Sequence, residues 1–240
     1  MTHRCAVLIV AVSFAGGFVF AAKNFWENPF TQWAQKDVNK MLQDSPWTLS
    51  QTYRGQEGAG RGGAFDRTSN AGERESNDTY TIRLFSSQPI RDAYARMMQL
   101  MNRYDTAGEA EKQRIDAMTA KVRTLDVSER IIVAMNYGSN LPDNIRNFKQ
   151  FFDKQSAELL KQNCYLISSR LGRVELKEFW PESPDGSGMK FIFPRSVNGQ
   201  PVFQEGDKEL RFDMWVEPTG QKIFQAWKPK NLMYQGKLAF

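Results

Sequence analysis

The strongest constraint on the fold lies in residues 210–216, where Leu210, Phe212, Met214 and Val216 alternate with Arg211, Asp213 and Trp215. Side chains along a strand point to opposite faces with a period of two. This segment therefore reads as a strand with one apolar face against a core and one face turned outward. The same period recurs through the C-terminal part of the chain. Cys164–Ser168, Val174–Phe179, Met189–Pro194, Glu209–Val216, Lys222–Trp227 and Met233–Phe240 each read as a short strand. Turn signals lie between them: Leu171-Gly172, Ser183-Pro184-Asp185-Gly186, Asn198-Gly199 and Glu217-Pro218-Thr219-Gly220. Short strands at this spacing predict a C-terminal antiparallel β-sheet or small sandwich.

Upstream, the apolar period becomes helical. Ile90, Tyr94, Met97, Met101 and Tyr104 recur every three or four residues, and Pro89 suits a first helical turn, where its missing N–H leaves nothing unpaired. Ile115, Met118, Val122 and Leu125 repeat the pattern after a turn at Asp105–Gly108, which predicts an antiparallel helical hairpin. Tyr80–Phe85 and Ile131–Asn136 read as strands. A longer helix is expected between Asp143 and Gln162, and a short amphipathic one over Thr31–Asp44 with Thr31 as its N-cap and Pro46 ending it. The fold class is α+β.

Residues 53–78 differ in composition, being rich in Gly, Ser, Asn, Arg and Glu with Phe65 as a single large apolar residue. Such a stretch buries too little surface to offset its ordering entropy and reads as a flexible linker. The expected division is a signal peptide at 1–21, a short amphipathic helix segment at 22–52, the Gly-rich linker at 53–78 and an α+β domain at 79–240.

The leading segment reads as an export signal. Met1–Arg4 is short and positive, Cys5–Ala22 is apolar or small apart from Ser13, and Val19-Phe20-Ala21 places cleavage after Ala21. The competing reading is an uncleaved anchor, since the run approaches the shortest length that spans a bilayer. Cys5 stands ahead of the apolar run, the wrong place for lipid attachment after cleavage. The expected location is therefore periplasmic or secreted, with membrane contact only if the segment is retained. Cleavage removes His3, the only histidine, and Cys5, one of two cysteines. The mature chain then has no intramolecular disulfide, and Cys164, beside Tyr165-Leu166-Ile167, reads as a buried small hydrophobe.

These counts limit the chemistry. Without histidine, neither a Ser-His-Asp nor a Cys-His arrangement can form, nor a His-ligated metal site. The formal charge of +5 comes from 32 basic and 27 acidic residues spread along the chain, without the dense basic face of a nucleic-acid binder. Gly58-x-Gly60-x-x-Gly63 has the spacing of a dinucleotide loop, but no apolar strand precedes it and no helical pattern follows. Asn77-Asp78-Thr79 fits a glycosylation triplet. Glu175, Glu178, Glu182 and Asp185 surround Trp180, the raw material of a glycosidase, yet Glu175 and Glu178 fall on opposite faces of a regular strand. No catalytic, cofactor-binding or metal-ligating residue is assigned. Trp180, Trp215 and Trp227 are the candidate partner-binding residues, Trp215 foremost because it points away from the Leu210–Val216 apolar face.

Four stretches carry a resemblance: Trp33 with Lys40–Trp47, Arg83–Arg91, Phe191–Arg195 and Leu232–Leu238. Together they resemble an uncharacterised family of predicted secreted proteins from soil bacteria, over most of the mature chain. The resemblance implies a signal peptide and similar length, and supplies no assigned activity and no catalytic residues. The chain departs from it at the Gly-rich insert Gly55–Gly63 and in the extended helical hairpin.

Two functions are expected. The first is a non-enzymatic module of the cell envelope or secreted space that binds a protein or surface polymer, using no cofactor and no nucleic acid. The alternative is a carboxylate-dependent hydrolase acting on envelope glycans, which requires two carboxylates facing across a cleft.

Overall fold

The computed structural model describes residues 24–56 and 75–240; the expected signal peptide and residues 57–74 of the Gly-rich stretch lie outside them. In chain order the elements are α1 (Gln35–Gln43), β1 (Thr48–Gln56), β2 (Glu75–Leu84), α2 (Gln88–Met101), α3 (Glu109–Arg123), β3 (Arg130–Ser139), α4 (Pro142–Phe152) and α5 (Ala157–Leu160). There follow β4 (Cys164–Ser168), β5 (Gly172–Glu175), β6 (Glu178–Ser183), β7 (Gly188–Pro194), β8 (Ser196–Val197) and β9 (Gln200–Pro201). β10 (Leu210–Val216), β11 (Gln221–Trp227), β12 (Met233–Tyr234) and β13 (Lys237–Leu238) complete the chain. The class is mixed α+β, mostly β, and every described strand pair is antiparallel. Among the described residues no helix is long and apolar enough to cross a membrane.

Two sheets and a helical layer enclose the core. The larger sheet has the order β1-β2-β3-β7-β6 and the smaller the order β11-β10-β4-β5. On one face of the larger sheet, Arg83 donates from Nε to the carbonyl of Leu42 in α1 at 2.6 Å, and the Lys190 ammonium lies 5.1 Å from the Phe85 ring centre. On the other face, Phe191 and Phe193 meet Phe212 of the smaller sheet at 5.5 and 6.3 Å between ring centres. β3 lies between the two layers, so Ile131, Ile132, Val133, Ala134 and Met135 are all buried. This continuous apolar run is what a strand covered on both faces requires.

The helices obey their local chemistry. α1 buries Val38, Met41 and Leu42, one face at three- and four-residue spacing. It begins at Gln35 rather than at the expected Thr31, because Asp37 reaches back to accept the N–H of Ala34 at 3.0 Å and fixes the first turn there. α2 is buried on nearly every side, and most of its polar groups find partners within the protein. Arg96, for example, forms a two-armed pair with Asp105 at 2.8 Å and donates to the carbonyl of Trp33 at 2.9 Å. Asp92 of α2 pairs with Arg123 at the far end of α3, while Gln99 meets Asp116, so the two helices run in opposite directions.

Several boundaries differ from those expected. Tyr53–Gln56 and Glu75–Asp78 are strand residues, not linker: Tyr53 faces Asp78 and Gln56 faces Glu75 in the β1–β2 ladder. Their composition argues against a strand, but the growing ladder supplies partners for their backbone groups. Of the segment expected at 22–52, the described residues 24–52 are likewise no separate appendage, since α1 and β1 belong to the helical layer and the larger sheet. The helix expected over Asp143–Gln162 breaks after Phe152, and Ser156 caps a new turn by accepting the N–H of Leu159 at 3.4 Å. The strand expected over Val174–Phe179 is two strands in different sheets, with the crossing at Leu176–Lys177. Met233–Phe240 is a tight hairpin, turning at Gln235 and Gly236 with φ of 49° and 77°.

Gly188 opens β7 at φ +81°, and a Cβ there would lie 2.4 Å from the carbonyl oxygen of Met135. Gly199 has a similar φ of +77° but open space around it. Gly188→Ala is expected to lower unfolding free energy in urea by about 2–4 kcal/mol, combining backbone strain with overpacking. Gly199→Ala is expected to lose about 1 kcal/mol in the same titration, from backbone strain alone.

Candidate functional site

The smaller sheet has one dry and one open face. Leu210, Phe212, Met214 and Val216 of β10 are buried together with Ile223 and Trp227 of β11, and Cys164 and Leu166 of β4. The intervening residues form the outer face. In register across it, Trp215 faces Lys222, Asp213 lies between Phe224 and Tyr165, and Arg211 lies between Ala226 and Ile167. β5 adds Glu175 opposite Tyr165 and Arg173 opposite Ile167. Trp215 is 46% exposed and Phe224 is 59% exposed. They are diagonal neighbours on adjacent strands, a spacing of about 7–8 Å in an antiparallel ladder, within reach of one extended ligand.

Charge is ordered around these rings. Asp213 is buried at the centre and accepts from Arg211 Nε at 2.6 Å and Nη2 at 3.2 Å, with Lys222 Nζ at 4.0 Å. The hydrogen bond to Asp213, and then its charge, raise the pKa of Arg211. The Arg173 guanidinium lies 4.1 Å from the centre of the Tyr165 ring. The face is thus a mosaic of aromatic rings and paired charges, not a continuous apolar patch.

The free edge of β11 is closed by side chains of β1. Gln51 Oε1 accepts the N–H of Phe224 at 3.2 Å, while Gln51 Nε2, at 3.1 Å, and the Tyr53 hydroxyl donate to the carbonyl of Lys222. An edge satisfied in this way resists pairing with another strand. The open surface is the sheet face, not its edge.

The three candidate tryptophans do not converge. Trp215 is where its parity places it. Trp227 is a correction: opposite Leu210 on the inner face, it is 1% exposed and belongs to the core. Trp180 sits opposite Lys190 in the other sheet, partly buried at the β6 edge. Phe224 is absent from the candidates that periodicity supplies, although the Glu217–Gly220 turn that joins β10 to β11 fixes its register and hence its face.

The carboxylates around Trp180 also separate. Glu175 lies on the outer face of the smaller sheet, Glu178 and Glu182 are exposed along β6, and Asp185 holds the β6–β7 turn by accepting the N–H of Ser187 at 2.8 Å. Lys190 donates to Ser187 Oγ at 2.6 Å, but that hydroxyl is buried and gives its own hydrogen to Asp185. Burial lowers the pKa of Lys190, with the charge of Asp185 acting against it. Asn77 of the glycosylation triplet is engaged in the β1–β2 ladder. Cys164 is buried, and desolvation pushes its thiol well above the usual value.

Trp227→Ala is expected to lose about 3–5 kcal/mol of stability in urea titration, whereas Trp215→Ala stays within about 1 kcal/mol of the parent. A disulfide-exchange reagent is expected to leave Cys164 unmodified in the native chain and to modify it once the chain unfolds. Comparison with protein-family models, curated proteins and solved structures finds no match to this chain.

Proposed function

We propose that the protein is an exported, non-catalytic binding module of the cell envelope or secreted space, and that it holds a surface polymer against the outer face of β4, β5, β10 and β11. The observation that carries this reading is the exposure of Trp215 and Phe224 on a single open sheet face. Aromatic rings spaced by charged and hydrogen-bonding groups suit a sugar chain, whose apolar ring faces alternate with hydroxyls. A protein partner would favour a contiguous apolar centre, which this face lacks. In this reading α2 and α3 act as a helical hairpin that stiffens the back of the central sheet, and the two sheets act as a small sandwich presenting the open face. The reading of the leading apolar segment as an export signal, and the resemblance to secreted bacterial proteins, are what support the location.

The test is co-sedimentation with purified cell-wall sacculi and with insoluble envelope polysaccharide. The parent protein is expected to sediment, and the Trp215→Ala/Phe224→Ala variant to lose at least about tenfold in affinity with its melting transition kept, as loss of two central aromatic anchors predicts. Equal sedimentation of both proteins, or none by either, refutes the assignment. Release of new reducing ends from the same polymer would favour the glycan-hydrolase alternative.

A further inference from the structure

The surface opens a second time where the start of α2, the loop after α3 and the β12–β13 hairpin meet. A cleft of about 540 Å³ there is lined by Ser86, Gln88, Arg91, Ser128, Arg195 and Lys237 among others, and among the described residues no Asp or Glu side chain lines it. Neither Trp215 nor Phe224 borders it, so its chemistry is independent of the sheet face.

Its two guanidiniums are held by main-chain and amide oxygens. Arg91, 6% exposed, donates from Nη1 to the carbonyls of Arg123 at 2.9 Å and Leu125 at 2.8 Å, and from Nη2 to Gln88 Oε1 at 2.9 Å. Its Nε is buried and has no acceptor among the described residues. Arg195 donates from Nε to the carbonyl of Val127 at 2.9 Å, and from Nη2 to the carbonyl of Arg130 at 3.2 Å and to a terminal carboxylate oxygen of Phe240 at 2.6 Å. No acceptor among the described residues meets its Nη1. Among the described residues, neither arginine forms an ion pair with an Asp or Glu side chain. The nearby Asp92 is committed elsewhere, accepting from Arg123 at 2.8 Å, Gln88 at 2.8 Å and Tyr234 at 3.1 Å.

Arg91 is a buried cation with no carboxylate against it, an unusual arrangement, and Arg195, held by the Phe240 oxygen, adds a second like charge beside the same cleft. The pKa of Arg195 is lowered to about 10, first by burial and then by the charge of Arg91, with Glu129 acting against both. Two further features favour an anion. Ser86 Oγ is buried without a partner among the described residues, and its residue lines the cleft. The N-terminus of α2 opens beside it, bringing the positive end of a helix of 14 residues.

We propose that this cleft binds a phosphate-type oxyanion between Arg91 and Arg195, with Lys237 at its mouth. The unpartnered Arg91 Nε, the Ser86 hydroxyl and Lys237 offer donors to the oxygens of such a group. The anion offsets the positive charge of Arg91, Arg195 and Lys237 that the terminal oxygens of Phe240 leave uncompensated.

The test is a calorimetric titration of the folded protein with inorganic phosphate, at an ionic strength held constant with chloride. Saturable binding is expected, weakened about three- to tenfold in Lys237→Ala and at least tenfold in Arg195→Gln, as loss of charge-assisted contacts predicts. Arg195 also fastens the main chain, so its variant is read only with an intact melting transition. Exposed Lys237 keeps the test decisive if that variant fails to fold. Competition by phosphatidylglycerol vesicles, but not by phosphatidylcholine vesicles, identifies a lipid headgroup as the source of the anion. Phosphate binding without vesicle competition identifies a soluble phosphate, and either result supports the site. Absence of saturable binding, or equal binding by parent and Lys237→Ala, overturns the proposal.

Discussion

Burial of β3 on both faces is the constraint on which the rest of the structure depends. Ile131–Met135 present apolar surface in two directions at once, each large side chain worth about 1.5–3 kcal/mol when fully removed from water. Ordering the backbone of those residues opposes this by about 1–2 kcal/mol each. The strand is stable only when both sides are covered. α1 and α2 provide one cover, the four-stranded sheet the other, and the position of each outer surface follows from this requirement.

Polar contacts then fix how the layers register. Asp78 of β2 is buried, accepting from Tyr137 at 2.7 Å and from Gln221, at the start of β11, at 3.0 Å. Tyr80 donates to Gln221 Oε1 at 2.6 Å. The two bonds to Gln221 span the two sheets, and an unmade one would leave a desolvated polar group in the interior, so they favour one alignment over neighbouring ones. The chain also passes between the sheets at Leu176–Lys177, where Lys177 already donates to the carbonyl of Ile192 in the larger sheet at 2.8 Å.

Function is assigned to what this packing leaves uncovered. The helical layer and the inner sheet faces exhaust most of the apolar side chains, while the outer face of the smaller sheet keeps Trp215 and Phe224 in solvent. The cleft beside α2 has a different origin. Arg91 and Arg195 draw the loop after α3 and the C-terminal segment together by donating to their main-chain oxygens, and positive charge is concentrated there as a consequence. The two surfaces differ in chemistry, one aromatic with paired charges and the other cationic.

The alternation Leu210–Val216 determined by itself which side chains of β10 enter the core, and so placed Trp215 outside; a period of two leaves no other choice once one face is dry. The helical spacing of Ile90–Met101 and the turn at Asn198-Gly199 were legible for the same local reason. Only tertiary structure decided that Trp227 is core, that Phe224 joins Trp215, and that residues 53–56 and 75–78 form strands. Those outcomes depend on cross-strand register and on partners distant in the chain, which local periodicity does not encode. The cleft was least legible of all. Its arginines lie in Arg83–Arg91 and Phe191–Arg195, and Lys237 in Leu232–Leu238, segments made neighbours only by the folding of the sheet between them.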